Sequence, residues 1–258
     1  MTALGVTDIG KRRETNQDNY KIHTTGEYCS AVVCDGMGGA NGGNIASKLA
    51  ADAYTRAVRS GMSRLRRKAG ITREDLERVM LGAVGRANTE VYDKAFTDAE
   101  YEGMGTTLVA LLACGGHIVV VNVGDSRAYC LKKNVLVQAT KDHSFVQFLI
   151  DNGTISPSQA ENHPNKNLIL RALGVNESIE ADTYFIDDCV AVLLCSDGLT
   201  NCVSDEDIRR ILRRKTSGEE KLRELIDAAN NDGGADNITA VLYLPDLKEA
   251  LSQKRIGR

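Results

Sequence analysis

The sequence predicts an α+β fold in which helices cover the outside of stacked antiparallel sheets. Short apolar runs rich in Val, Ile, Thr and Tyr, punctuated by Gly or Asp, read as strands and come in groups. Between the groups stand one or two long helical segments, not a helix after every strand, which argues against a doubly wound parallel sheet. With three prolines and no Pro/Ser-rich linker, residues 1–258 read as a single domain.

Taken in order, "ALGVTDIG" is a first strand and "EYCSAVVCD" a second. The glycines of "AVVCDGMGGANGGNIAS" let the chain turn sharply before a helix over Gly43–Arg59. A second helix covers Thr72–Phe96, opened by Thr72 with Asp75 three residues on. In "TTLVALLACGGHIVVVNVGD" the "CGGH" marks a hairpin turn between two strands, and "SRAYCLKKNVLVQAT" continues the β-rich group. Residues 144–170, with Pro157, Pro164 and several Asn, form a partly helical, partly irregular excursion suited to a flap beside a site. "DTYFIDDCVAVLLCSD" returns to strand, helices follow at Ser204–Arg214 and Ser217–Asn230, and "NITAVLYL" closes the chain's β content.

Composition narrows the function classes. A net charge of −3 leaves no electrostatic footprint for nucleic acid, and the basic cluster Arg56, Arg59, Arg64, Arg66, Arg67 and Lys68 reads as a solvated helix end. No apolar run approaches the roughly 20 residues of a membrane span, and the N-terminus lacks a signal-peptide core. The seven cysteines include no Cys-x-x-Cys pair and mostly sit in apolar runs, as reduced buried thiols would. A cytoplasmic location follows as an expectation. No coiled coil or long apolar stripe demands a second copy, so a monomer is expected.

The recurrent chemical feature is an acid at a strand end: Asp35 in "AVVCDG", Asp125 in "VVVNVGDS", Asp197 in "AVLLCSDG", and Asp236 just before "NITAVLYL". One such Asp is ordinarily a turn residue. Four of them, if the strand ends converge, are like charges that need a cation. Carboxylates and carbonyls suit Mg²⁺ or Mn²⁺ better than Zn²⁺, and His23, His117, His143 and His163, read as turn or loop residues, show no zinc-like spacing. In "GKRRETNQDN", Asp18 is a further candidate ligand and Arg13 a guanidinium able to fork onto phosphate oxygens. Two hard cations sharing a water would align it for in-line attack on phosphorus. No Gly-x-Ser-x-Gly, Cys-x5-Arg or P-loop pattern offers a covalent or nucleotide-binding alternative.

At these residues the chain resembles the metal-dependent protein phosphatases (PPM, type 2C), in their short bacterial form. The resemblance spans nearly the whole chain and keeps the motif order "TDIGKRRETNQDN", "VVCDGMGG", "GMGTTLVALL", "VNVGDSRAY", "TKDHS", "RALG", "LLCSDGLT", "GGADNITAVL". It implies a four-layer α/β/β/α sandwich with the metal site in a cleft at one edge. It also implies Asp35 bridging two Mn²⁺ or Mg²⁺ ions and Gly36 lending its carbonyl to the second. Asp197 and Asp236 would be the other carboxylates of the first ion, Asp18 an outer acid, and Arg13 the phosphate-binding arginine. Asp125 with Asp197 would hold a weak third ion. Substrates would be phosphoserine and phosphothreonine proteins, hydrolysed without a covalent enzyme intermediate and opposing a bacterial Ser/Thr kinase.

Three positions depart from the pattern. Met37 stands where some relatives carry a His proposed as general acid, and Ala40 and Asn44 replace a His and a Glu common in bacterial members. These changes motivate the rival reading, a pseudophosphatase that binds partners without turnover. The retained acids speak against it, because clustered carboxylates are costly without catalysis. A small-molecule phosphatase would share the chemistry and differ only in substrate.

Overall fold

The structure, a computed structural model, describes residues 1–246 except 67, 69 and 161, and of residues 40 and 41 the backbone only. Two antiparallel sheets form its centre. One has the order β1 (Thr2–Asp8), β11 (Ile238–Leu244), β10 (Ala191–Cys195), β7 (Arg127–Lys132), β8 (Val135–Gln138). The other runs β2 (Asp18–Thr24), β3 (Tyr28–Met37), β5 (Leu108–Cys114), β6 (His117–Val123), β9 (Asp182–Ile186), with β4 (Gly105–Thr106) appended to β3. The long helices α1 (Gly39–Leu65) and α2 (Arg73–Thr97) cover the second sheet, while α5 (Asp197–Thr200), α6 (Asp205–Leu212) and α7 (Gly218–Asn231) cover the first.

The continuous apolar runs of the sequence are strands buried on both faces. In β3, Cys29, Ala31 and Val33 point between the sheets while Tyr28, Val32 and Cys34 point at α1 and α2. In β10, Val192 and Leu194 face inward, and Ala191, Leu193 and Cys195 meet the helices on the far side. Period-2 side-chain alternation thus builds a hydrophobic layer on each side of each sheet, which is the predicted four-layer sandwich. Six of the seven cysteines are buried in these layers and none is in a disulfide.

Several boundaries differ from expectation. Helix α1 starts at Gly39, four residues before Gly43, and runs on past Arg59 to Leu65. The turn is made by Gly38 and Gly39, both at positive φ, whereas Gly42 and Gly43 lie inside the helix. Their role is close approach: a Cβ on Gly43 would sit 2.8 Å from the Gln17 side chain. Strand β2 was not foreseen because "DNYKIHT" is polar; it is an edge strand whose Tyr20 and Ile22 alone pack inward. The run "DTYFIDDCVAVLLCSD" is not one strand, since β9 and β10 lie in different sheets and the chain crosses between them. His23 and His117 belong to β2 and β6, not to loops. The hairpin at "CGGH" is present, with Cys114 paired to His117 and both Gly115 and Gly116 at positive φ. Among the described residues of 144–170 stand two short helices, α3 (Phe145–Asp151) and α4 (Pro157–Ala160).

Among the described residues no helix is long and apolar enough to cross a membrane. The basic cluster at the end of α1 is mostly exposed, with Arg66 paired to Glu27 and Lys68 to Asp75; Arg67 lies outside the described residues.

Candidate metal centre

Antiparallel register gathers the acids at one edge of the sandwich. Asp18, the first residue of β2, is directly opposite Asp35 near the end of β3. β10 ends where β11 begins, so Asp197, two residues past β10, and Asp236, two before β11, meet at the same edge. Gly124 and Asp125 follow β6, whose end pairs with the start of β5. Asp197 is thus not a strand residue but the first residue of the short helix α5.

Each acid is held by specific partners. The Asp35 N–H donates to Thr107 Oγ1 at 3.0 Å, and Thr107 Oγ1 is hydrogen-bonded to buried Ser126 Oγ at 2.7 Å. Ser196 Oγ donates to Asp18 Oδ2 at 2.7 Å and accepts the Thr239 N–H at 2.9 Å. Asn201 Nδ2 donates to Asp197 Oδ2 at 3.0 Å. Arg13 Nη2 donates to Asp236 Oδ2 at 2.7 Å, so the predicted phosphate-binding arginine stands at the rim of the acid cluster.

Asn237 anchors the loop that carries Arg13. Its Oδ1 accepts the Gln17 N–H at 2.8 Å, and its Nδ2 donates to the carbonyls of Ile9 (2.9 Å) and Thr15 (3.0 Å). Sequence reasoning missed Ser196, Asn237 and Thr107, although the first two adjoin predicted acids. Polar residues buried beside a strand-end acid are the signal that could have found them.

Gly36 is required by space. A Cβ there would stand 2.0 Å from the Gly43 carbonyl oxygen, so helix α1 rests on the backbone of β3 just beyond Asp35. Met37 packs its methyl against Gly105, where an added Cβ would lie 2.8 Å from it. Asn44 Oδ1 is 3.5 Å from Asn19 Nδ2, a long contact; the side chain of Ala40 lies outside the described residues.

The electrostatics follow from this crowding. Burial, joined by the charges of Asp18, Asp197, Asp125 and Asp236, pushes the Asp35 carboxyl well above its ordinary range. Asp18 is raised to about 7 by burial, against the opposing hydrogen bond from Ser196. Asp125 is raised to about 8 by burial and then by Asp197, and burial followed by the charge of Asp236 raises Asp197. The Arg13 guanidinium is raised chiefly by its hydrogen bond to Asp236.

A hard cation fits this donor set. Asp18 Oδ1 and Asp125 Oδ1 are buried without a hydrogen-bond partner, and every candidate donor is oxygen. Among the described residues no three acidic, His or Cys side chains are gathered closely enough to hold an ion unaided. Any cation here would complete its shell with carbonyls and water, as Mg²⁺ in particular does.

Beside the acids opens a cleft of about 770 Å³ between Asp125 and Asp197 on one wall and Val146, Gln147, Ile150 and Lys166 of residues 144–170 on the other. His143 holds the backbone beside Asp125: its Nδ1 accepts the Gly124 N–H at 3.1 Å and its Nε2 lies 3.2 Å from Asp182 Oδ2.

The family model for protein phosphatase 2C matches residues 10–243. The chain belongs to the protein phosphatase 2C family. It is 39% identical over 246 residues to the serine/threonine phosphatase stp of Listeria monocytogenes, a match covering 94% of this chain and 95% of that one. It is 34% identical to the protein phosphatase PhpP of Streptococcus pneumoniae, covering 95% and 98%. The crystal structure of Stp1 from Staphylococcus aureus superposes with a TM-score of 0.85 at 34% identity, covering 95% of this phosphatase and 94% of that chain. The two-sheet sandwich is therefore the fold of this family, as the motif order implied.

Proposed function

We propose that this chain, a protein serine/threonine phosphatase by family, hydrolyses phosphoserine and phosphothreonine in proteins with two Mn²⁺ or Mg²⁺ ions and no covalent enzyme intermediate. The observation that carries the reading is the convergence of Asp18, Asp35, Asp197 and Asp236 at one edge of the sandwich, with Arg13 bonded to Asp236 at its rim. Asp35, Asp197, Asp236 and the Gly36 carbonyl would hold the ions, with Asp18 behind them and Asp125 with Asp197 as a weaker third position. When bound, such a pair lowers the pKa of water and aligns it for attack on phosphorus.

The chain's own residues do the rest. Thr107 and Ser126 lock the backbone at Asp35, Ser196 orients Asp18, and Asn237 keeps the Arg13 loop over the site. Arg13 offers paired donors to the phosphoryl oxygens and offsets charge that develops on them. Met37 has no proton to give, so it cannot act as general acid for the leaving seryl or threonyl oxygen. Residues 144–170 act as the flap of a single phosphatase domain, their cleft receiving the peptide around the phosphoresidue. The physiological setting is a cytoplasmic monomer opposing a Ser/Thr protein kinase.

Purified protein with Mn²⁺ is expected to hydrolyse p-nitrophenyl phosphate and phosphothreonine peptides, and to lose both activities with a chelator and in Asp35→Asn. Turnover that survives chelator and substitution alike overturns the two-ion reading. Calorimetry that detects no Mn²⁺ binding would favour a binding module without turnover.

A further inference from the structure

We propose that the groove between α1 and α2, on the outer face of the sandwich, docks an acidic amphipathic segment of a partner protein. The inference does not depend on the catalytic reading. The groove has a volume of about 700 Å³. Its floor is small and apolar: Ala53, Ala57 and Gly61 recur at four-residue steps along α1, facing Val79 and Gly82 of α2. The helices are in close contact at Gly61, where an added Cβ would be 2.8 Å from Val79, while a Cβ on Gly82 would meet nothing within 4 Å.

Its walls carry four arginines, two from each helix, Arg56 and Arg64 on α1 and Arg78 and Arg86 on α2, together with two acids of α2, Asp75 and Glu90. The Arg56–Glu90 ion pair at 2.6 Å and the Gly61–Val79 contact set an antiparallel register between the helices. That register places Arg64 near Arg78 at one end and Arg86 near Arg56 at the other. Each end has one arginine already answered by an acid, Arg78 by Asp75 at 2.6 Å and Arg56 by Glu90. The second arginine at each end is not. Arg64 reaches only the Ser60 hydroxyl, at 3.1 Å, and Arg86 has no hydrogen-bond or ion-pair partner among the described residues.

Two exposed guanidiniums without carboxylates therefore stand at opposite ends of an apolar floor. Both arginine pairs are eight residues apart on their helices, a span of about 12 Å at 1.5 Å per residue. The complementary ligand is a helical segment with carboxylates two turns apart and small or apolar side chains between them. A uniform polyanion fits poorly, since nucleic acid or an anionic membrane would lay charge over the apolar floor, and the chain's net charge is −3.

The test uses a fluorescein-labelled Leu/Ala peptide with Glu eight residues apart, titrated by anisotropy with the full chain. Binding is expected to weaken at high salt and to fall at least tenfold in Arg64→Glu/Arg86→Glu, and a peptide with Lys at the Glu positions is expected to regain affinity for that variant. Unchanged p-nitrophenyl phosphate turnover and circular dichroism, repeated in Arg64→Gln/Arg86→Gln, would show that the fold is intact. No binding by the Glu peptide, equal binding by the charge-reversed variant, or displacement by phosphatidylserine vesicles or a single-stranded oligonucleotide would overturn the proposal.

Discussion

Asp18 and Asp35 face each other in register across β2 and β3, and Ser196 reaches from the other sheet to hold the first of them. Replacing Ser196 with Ala strands the buried Thr239 N–H and takes one hydroxyl donor from Asp18. A loss of about 1–3 kcal/mol by urea denaturation is expected, together with weaker Mn²⁺ binding by calorimetry. Stability equal to the parent protein would show that Ser196 is dispensable. At this scale the acids were legible in the sequence because an acid after an apolar run is conspicuous. Ser196, Thr107 and Asn237 were not, because a small polar residue beside a strand looks like any turn residue until its cross-sheet partner is known.

Helix α2 begins with a reciprocal capping box, in which the Thr72 hydroxyl accepts from the Asp75 N–H and the Asp75 carboxylate accepts from the Thr72 N–H. Thr72→Ala is expected to cost about 0.5–2 kcal/mol in chemical denaturation. The Asp75 carboxyl is lowered to about 2, first by its hydrogen bond with Lys68 and then by the Thr72 N–H. A folded-state pKa below the unfolded value means that its contribution is present above about pH 4 and is lost as the pH falls toward 2. An acid titration of stability in Asp75→Asn should therefore be flatter over that window; an unchanged slope would remove Asp75 from the acid response. Caps of this kind are local chemistry, and Thr72 with Asp75 was readable from spacing. The start of α1 was not, because Gly42 and Gly43 look like helix breakers. They are tolerated in a helix that must lie close on its neighbours, Gly43 against Gly36 and Gln17 and Gly42 against Met104.

Over the whole molecule, two sheets share one inner layer and each carries an outer layer against helices. Leu111, fully buried between the sheets, tests that layer: Leu111→Ala is expected to cost about 2–5 kcal/mol without altering the edge that carries the acids. Thermal melting together with Mn²⁺ affinity checks both halves of the expectation. A small loss would mean that the inner layer collapses readily around the gap.

The architecture class, most helices, the hairpin at "CGGH" and the acid set were all carried by local information: side-chain periodicity, caps, turn residues and motif order. The polar edge strand β2, the assignment of β9 and β10 to different sheets, and the cross-sheet partners of the acids depend on contacts between residues far apart in the chain. The Ser196 bond to Asp18 spans 178 positions and the Arg13 bond to Asp236 spans 223. No local pattern encodes such pairings, because they exist only once strand register has brought the ends of four strands to one edge.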